Sequence, residues 1–215
     1  MGRNLVLEIV NDIDAECPSH EEDNWTVIPF LNDKVDYQHP SEVVPDPDED
    51  PEEAAEFRRK LDTGLAFFLD CYQHSGTAWS LRGEGMQCGW DTSRCSGLIV
   101  WECDENNLGP KTKEDRAKDA RAFLTEYNAW ANGHVYRFHL EGDEVSENYG
   151  GWVNEDAMME EIAGHIEDGD TVRIRGEAAW LLDYHPIKLR DGITATLKPQ
   201  KKASVWVDED DAEED

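Results

Sequence analysis

Two amphipathic helical segments interrupt a chain whose remaining apolar stretches are short and strand-like. The first segment runs from Thr112 to about Asn132 and is followed by Gly133, a residue typical of helix ends. Its apolar residues recur at the three- and four-residue spacing of one helix face: Ala120, Phe123, Leu124, Tyr127, Trp130 and Ala131. The second segment covers about Glu155–Glu167, and Asn154 is its predicted N-terminal cap.

The strand-like runs are grouped around these helices. Apolar runs and alternation predict seven strands before residue 154: Asn4–Val10, Trp25–Phe30, Leu65–Tyr72, Thr77–Leu81, Gly97–Glu102, His134–Glu141 and Val145–Val153. After Asp170 the runs TVRIRGEAAWLL, TATLK and ASVWV are also strand-like. Grouped strands interrupted by helices predict an α+β fold with a mostly antiparallel sheet and two main helices.

The predicted organisation is a core, an extension and a tail. Residues 1–169 form the α+β core, residues 170–206 a small strand-rich extension, and residues 207–215 a disordered acidic tail. Residues 38–56 contain four of the nine prolines among many acids, which predicts an exposed acidic loop. We expect this loop to end in a short helix at about Pro51–Leu61, because proline suits a first helical turn.

Acidity limits the classes of partner. The chain holds 49 Asp and Glu against 20 Lys and Arg, a formal net charge of −29. This excess argues against direct, nonspecific binding to nucleic acid or an anionic membrane, because cations that neutralise phosphates are scarce. No apolar run approaches the roughly 20 residues that cross a bilayer, and the first apolar stretch is too short for a signal peptide. We therefore expect a protein of the host cell cytoplasm.

The C-terminal part differs in charge from the rest. Residues 170–206 hold four acids and seven bases, a net charge of +3, whereas the last nine residues hold seven acids and no base. Two interpretations remain open. The tail folds back on the basic segment, or it is a solvated extension that keeps the protein soluble.

Five cysteines without a CxxC pair occur in the chain: Cys17, Cys71, Cys88, Cys95 and Cys103. Free thiols are the simplest interpretation in a cytoplasmic chain of this length. A zinc-stabilised module using Cys88, Cys95 and Cys103 with His74 is an alternative, although structural zinc sites usually show two tight ligand pairs. The common nucleotide-binding and metalloprotease motifs are missing, so we expect no metal and no other cofactor.

Three stretches of the sequence carry a family resemblance. They are DIDAECPSHEEDNW at Asp12–Trp25, YQHSG at Tyr72–Gly76 with CGWD at Cys88–Asp91, and YNAWANGHVYRFHLE at Tyr127–Glu141 with YGGW at Tyr149–Trp152. Together they resemble a widespread family of small phage- and plasmid-encoded proteins with HSG, CPWDS-like and GxVYxF motifs. The resemblance extends over about residues 5–153 and implies an accessory protein of a mobile element.

The chain departs from that family pattern at several positions. Gly89 replaces a proline, and the Ser-Pro position of the family is Cys17-Pro18 here. Residues 92–95 expand the turn after Trp90-Asp91, and residues after 153 look like an addition. The resemblance therefore implies no particular catalytic mechanism.

His74, Cys88 and Asp91 are the candidate catalytic residues. A histidine with a thiol and a carboxylate offers the residue types of nucleophilic catalysis, in a small hydrolase or a nucleotide-modifying enzyme. However, no Gly-x-Ser-x-Gly nucleophile elbow is present. In the structural alternative, His74-Ser75-Gly76 forms a hairpin turn, Trp90 packs into the core and Asp91 caps the turn. A ligand or metal role is a third interpretation.

The favoured interpretation is an acidic binding protein. DNA-binding proteins display basic grooves, and a compact acidic protein can fill such a groove by mimicking phosphates. We expect it to block a host restriction, CRISPR, repair or transcription protein through carboxylates that act together: Asp46, Asp48, Glu49, Asp50, Glu52, Glu53, Asp143, Glu144, Glu147, Glu155, Asp156, Glu160 and Glu161. The same acidity also fits a salty cytoplasm or a high-GC genome. Tryptophan-rich strands are compatible with a homodimer, but no feature specifies one.

Overall fold

Nine strands and four helices make up the part of the chain that the computed structural model describes, residues 2–20, 24–31, 37–104, 106–142 and 144–199. The strands are β1 (Asn4–Asn11), β2 (Trp25–Pro29), β3 (Ala66–Gln73), β4 (Thr77–Leu81), β5 (Thr92–Trp101), β6 (Tyr136–Gly142), β7 (Val145–Trp152), β8 (Thr171–Arg175) and β9 (Thr196–Pro199). The helices are α1 (Pro40–Val43), α2 (Pro51–Thr63), α3 (Lys113–Ala131) and α4 (Glu155–His165). Mostly antiparallel sheets with packed helices confirm the predicted α+β fold class.

The chain divides into two compact units. Unit 1 comprises Met1–Asn11 and Tyr136–Asp215, and unit 2 comprises Asp12–Val135. Each unit has its own sheet and buried core. The division does not fall near Gly169, where the sequence suggested a boundary. The reason is that β8, which follows Gly169, hydrogen-bonds to β1 and so belongs to the same sheet as the N-terminal strand.

Unit 2 contains an antiparallel sheet in the order β2-β5-β3-β4. On one face, Phe123 and Tyr127 of α3 are buried in the same cluster as Trp25 of β2. On the other face, Phe57 of α2 packs against Phe68 of β3 with ring centroids 6.2 Å apart. Because both faces are covered, the middle strands contain near-continuous apolar runs.

The edge strand β4 is closed by two side chains of α3. The Asn128 amide accepts a hydrogen bond from the backbone N–H of Trp79 at 2.8 Å and donates to its carbonyl at 2.9 Å. Asn132 makes the same pair of bonds with Thr77, at 2.9 and 2.7 Å. One helical turn separates the two asparagines, and their partners lie two positions apart on β4, so the amides replace the hydrogen bonds of a neighbouring strand. This arrangement satisfies backbone groups that an open edge would leave unpaired.

Unit 1 contains a mixed sheet in the order β7-β6-β1-β8-β9. β7, β6 and β1 are antiparallel neighbours, whereas β8 runs parallel to both β1 and β9. Met158 and Ile162 of α4 pack with Leu7 of β1 and Phe138 of β6 in one buried cluster. Buried residues alternate with more exposed ones along β1 and β8, so this sheet buries a single face there.

A buried ion pair connects the start of β1 to the loop before β8. The Asp170 carboxylate is 1% exposed and accepts hydrogen bonds from the Arg3 guanidinium, the shortest at 2.6 Å, and from the Arg3 and Glu167 backbone N–H groups. The hydrogen bond from the Arg3 side chain is the main reason that the pKa of Asp170 falls from 3.8 to about 2. Asp170 is therefore a structural anion of unit 1.

The strand predicted for TVRIRGEAAWLL is wrong after Arg175. β8 ends there, and Ala179–Asp183 forms a short 3-10 helix. Gly176 has a φ of 102°, and a side chain at that position would collide with the backbone of Ile9. The close approach of β1 therefore turns the chain away from the sheet.

Other segments match or extend the predictions. TATLK contains the start of β9, and Pro51–Thr63 confirms the short helix, although Pro40–Val43 adds one turn of helix inside the predicted loop. β5 begins at Thr92 and not at Gly97, because Thr92 and Ser93 already pair with β3. ASVWV, Asp143 and the tail at residues 207–215 lie outside the described residues.

Candidate functional site

Sheet pairing brings the three candidate catalytic residues together. His74 lies on the turn between β3 and β4, whereas Cys88 and Asp91 lie on the loop between β4 and β5, residues 82–91. Because β3 pairs with both β4 and β5, the two connections meet at one end of the sheet. Asp91 Oδ2 lies 3.6 Å from His74 Nδ1 and accepts a hydrogen bond from Cys88 Sγ at 3.5 Å.

A buried carboxylate fixes the shape of this loop. Asp70 on β3 is 1% exposed and accepts hydrogen bonds from the backbone N–H groups of Gly83 and Cys95, both at 2.9 Å. Gln87 Nε2 adds a longer bond of 3.4 Å. Burial alone would raise the pKa of Asp70, but these hydrogen bonds outweigh burial and hold that pKa below its ordinary value. Asp70 therefore ties the start of the loop, and the first part of β5 that follows the loop, to the central strand β3.

Further polar contacts brace the loop from inside. The Thr92 hydroxyl accepts a hydrogen bond from the Cys88 backbone N–H at 2.9 Å and donates to the Met86 carbonyl at 2.7 Å. Glu84 forms two hydrogen bonds of 2.8 Å with the guanidinium of Arg121 on α3. These bonds to Arg121 lower the pKa of Glu84. The loop is thus held at both ends and along its length.

The order of contacts differs from that of a nucleophilic triad. In such a triad the histidine lies between the nucleophile and the acid, whereas here the Asp91 carboxylate lies between His74 and Cys88. A thiolate nucleophile is stabilised by a nearby cation, but the atom that contacts Cys88 Sγ is a carboxylate oxygen. The His74 side chain is also 68% exposed. This geometry is that of a braced turn in which a histidine and a thiol share one carboxylate.

Trp90 contradicts the expectation that it packs into the core. Its exposed fraction is 96%, and Met86 on the same loop is 62% exposed. Asp91 and Thr92 make side-chain hydrogen bonds with Cys88 on this loop, whereas the neighbouring Trp90 side chain projects into solvent. The buried tryptophan next to the loop is Trp79 of β4, which is 2% exposed.

The cysteines are free thiols. Cys17 and Cys71 are buried, whereas Cys88, Cys95 and Cys103 are partly exposed. Within the part of the chain that the structure describes, no three His, Cys, Asp or Glu side chains are placed to hold a metal ion. The zinc hypothesis for Cys88, Cys95, Cys103 and His74 therefore has no geometric support there.

The predicted carboxylates at residues 46–53 form one exposed group, which we call the acidic segment: Asp46, Asp48, Glu49, Asp50, Glu52 and Glu53. The Asp46 side chain accepts a hydrogen bond from the Asp48 N–H at 2.9 Å, and Asp50 caps α2 by accepting from the Glu53 N–H at 3.0 Å. Among the described residues, none of the six carboxylates forms an ion pair with Lys, Arg or His. The segment is an ordered, unneutralised anionic surface of unit 2.

The remaining predicted carboxylates belong to unit 1, and several have histidine partners. Glu147 of β7 and Glu161 of α4 lie 3.9 and 3.2 Å from the His165 ring, and Asp156 lies 3.0 Å from His185. A hydrogen bond with Glu147 also raises the pKa of Tyr149. The others lie on α4 or at the turn before β7: Glu155, Glu160 and Glu144. Three carboxylates of this group therefore have a histidine within 4.0 Å, and none of the six in the acidic segment forms such a pair among the described residues.

Two kinds of contact were missed by sequence reasoning. Asp70 is a charged residue inside the apolar run LAFFLDCY, and that exception to the pattern is a signal that could have identified it. Asn128 and Asn132 lie on the helix α3 at a four-residue spacing, but their strand partners are about 50 positions away in the sequence. No local pattern identifies such partners.

Comparisons with known proteins add no relative. A scan against protein-family models, a search of curated proteins and a search of solved structures each gave no match. No helix in the described part of the chain is both long and apolar enough to cross a membrane.

Proposed function

We propose that this chain is a phage- or plasmid-encoded acidic binding protein that acts in the host cytoplasm. Its acidic segment occupies the basic nucleic-acid-binding surface of a host restriction, CRISPR, repair or transcription protein and keeps DNA away from it. The single observation that carries this proposal is the group of six exposed, unpaired carboxylates within residues 46–53. The overall charge of −29 supports it by repelling nucleic acid itself.

The acidic segment has a defined backbone conformation, which supports its comparison with the regularly spaced phosphates of DNA. Two of its carboxylates bind backbone N–H groups, and Pro51 fixes the first turn of α2. Glu52 and Glu53 lie in the first turn of α2, so they project from a regular helical backbone on which consecutive residues rise by about 1.5 Å. A basic groove that normally neutralises DNA phosphates can then bind these carboxylates instead and release its own bound anions into the solvent. Binding of this kind weakens steeply as salt is added.

The test is a pull-down from bacterial host lysate with the tagged full-length protein, eluted by a salt gradient and identified by mass spectrometry. We expect a stoichiometric DNA- or RNA-binding protein that is released as salt rises and is displaced by duplex DNA. Changing all six carboxylates of the acidic segment to their amides should reduce the recovered partner at least tenfold. The amides keep an oxygen for both backbone hydrogen bonds, so the fold is retained.

A matched control separates the segment from total charge. It carries six acid-to-amide changes at exposed positions outside the predicted surface: Asp14, Glu16, Asp62, Glu102, Asp183 and Asp191. Both variants change the net charge by the same amount, and the control should retain the partner. Equal losses in the two variants, or a lysate that yields no specific protein, would contradict the proposal.

An enzyme is the second candidate, because the structure brings His74, Cys88 and Asp91 within contact distance. In that case Asp91 orients His74 or receives a proton, and the chemistry is that of a small hydrolase or nucleotide-modifying enzyme. His74→Ala and Asp91→Ala should then each abolish activity in a hydrolase screen without changing the urea midpoint. Activity that persists in both variants would eliminate this role for the loop.

A further inference from the structure

The outward side of β8 and β9 carries exposed cations on an otherwise acidic molecule. Val172 and Ile174 point into the core of unit 1, and Leu197 packs against that core. Side chains alternate along a strand, so the intervening residues project from the opposite face. We call these residues the basic face: Arg173, Arg175 and Lys198, all of them exposed.

The register of the sheet places two of these cations side by side. Arg173 of β8 lies directly opposite Lys198 of β9, and like charges in that position destabilise a sheet. Arg175 has a partner, since its guanidinium lies 3.3 Å from Glu8 of β1. Among the residues that the structure describes, neither Arg173 nor Lys198 forms an ion pair. Although the chain contains 49 acidic residues, Arg173 and Lys198 therefore remain an exposed pair of like charges that an anionic group could bind.

The described part of the chain ends at Pro199, next to the basic face. β9 is the last strand of the sheet order and ends at Pro199. The final nine residues, VDEDDAEED, include seven acids. The nine Cα–Cα steps from Pro199 to Asp208 can span about 30 Å, whereas β8 and β1 lie only about 5 and 10 Å from β9. The connection is long enough for the acids to return over the basic face.

We propose that residues 208–215 dock on the basic face and neutralise the Arg173–Lys198 pair. A short tether raises the effective concentration of the acidic residues at that face to the millimolar range, which favours this segment over acidic segments of other molecules. The contact also shields the exposed cations from the acidic segment of a second copy. This inference concerns unit 1 and is independent of the function proposed for residues 46–53.

The test compares the full-length protein with a full-length tail variant in which all seven terminal acids are changed to amides. Amide NMR signals of residues 171–175 and 196–198 are recorded at low and high salt. We expect the two proteins to differ at these signals at 20 mM salt and to converge at 500 mM. Arg173→Ser combined with Lys198→Ser should remove the low-salt difference. Identical signals in the two proteins at low salt would overturn the proposal.

Two controls identify the occupant of the face. The variant with six amides in the acidic segment should leave the β8 and β9 signals unchanged. A synthetic VDEDDAEED peptide added to the tail variant should reproduce the wild-type shifts, with at least tenfold weaker binding at 500 mM salt. A low-salt difference that grows with protein concentration would instead assign the contact to a second copy and overturn the intramolecular docking. Failure of the peptide to bind would also overturn it.

Discussion

Replacing Asp70 with asparagine tests whether one buried carboxylate determines the shape of the loop at residues 82–91. The two oxygens of Asp70 accept hydrogen bonds from the N–H groups of Gly83 and Cys95, and the residue is 1% exposed. Asparagine keeps one acceptor oxygen and presents an NH₂ group to the other donor. One backbone N–H therefore loses its acceptor and meets a second donor.

The expected cost follows from those contacts. A hydrogen bond to a charged group contributes about 1.5–3 kcal/mol, and the contact between the new NH₂ group and a second donor adds to its loss. We expect Asp70→Asn to lower the free energy of unfolding of unit 2 by about 2–3 kcal/mol. At about 2–4 °C per kcal/mol, the melting temperature should fall by about 5–10 °C.

Urea unfolding followed by tryptophan fluorescence and circular dichroism measures this cost. Asp91→Asn is the matched control, because its carboxylate lies on the same loop but is about one-third exposed and, among the described residues, accepts no hydrogen bond from a backbone N–H. The control should change the free energy of unfolding by less than about 0.5 kcal/mol. A cost below 0.5 kcal/mol for Asp70→Asn, or equal costs for both variants, would refute the assignment of Asp70 as the organising residue.

Three further predictions concern stability. Arg3→Gln should lower the free energy of unfolding of unit 1 at pH 7 by about 2 kcal/mol, because the pKa of Asp170 drops from 3.8 to about 2 mainly through Arg3. The pKa of Asp170 is lower in the folded protein than its ordinary value of 3.8, so its stabilising effect is complete above that pH and is lost as the pH falls toward 2. The difference in free energy of unfolding between wild type and Arg3→Gln should therefore shrink as urea unfolding is repeated from pH 5 toward pH 2. Trp90→Ala should cost less than about 0.5 kcal/mol and Trp79→Ala about 3–5 kcal/mol, and a similar cost for both would contradict the observed exposures. Asn128→Asp should cost about 1–3 kcal/mol by removing the donor to a β4 carbonyl, measured by thermal unfolding, with an unchanged midpoint as the opposing result.

Much of the local structure was predictable from the sequence. The stripe between Thr112 and Asn132 identifies α3, found at Lys113–Ala131, because one helix face must be apolar to pack. The cap at Thr112 was also predictable, since its hydroxyl accepts from the Asp115 N–H as helix ends require. Alternation located β1, and its buried residues face one core. These features depend on neighbours within a few residues.

The candidate sites show the limit of that local reasoning. His74 and Asp91 are 17 positions apart, and only the pairing of β3 with both neighbours brings their side chains within 3.6 Å. Residue type alone suggested a buried position for Trp90, which is instead exposed on the loop whose shape is set by hydrogen bonds of its neighbours Asp91 and Thr92. Charge identified the acidic segment, but only the structure shows that two of its carboxylates bind backbone N–H groups.

The sequence by itself therefore determined the helices α2, α3 and α4, most strands, the α+β class and the strong acidity. Only the tertiary structure decided that β8 joins β1, that Asp70 anchors a distant loop, and that Arg173 lies opposite Lys198. Helix and strand periodicity is set by backbone geometry over a few residues and is visible in the sequence. Strand partners and buried hydrogen bonds are selected by the packing of segments that are far apart along the chain, so they are decided only when the whole unit folds.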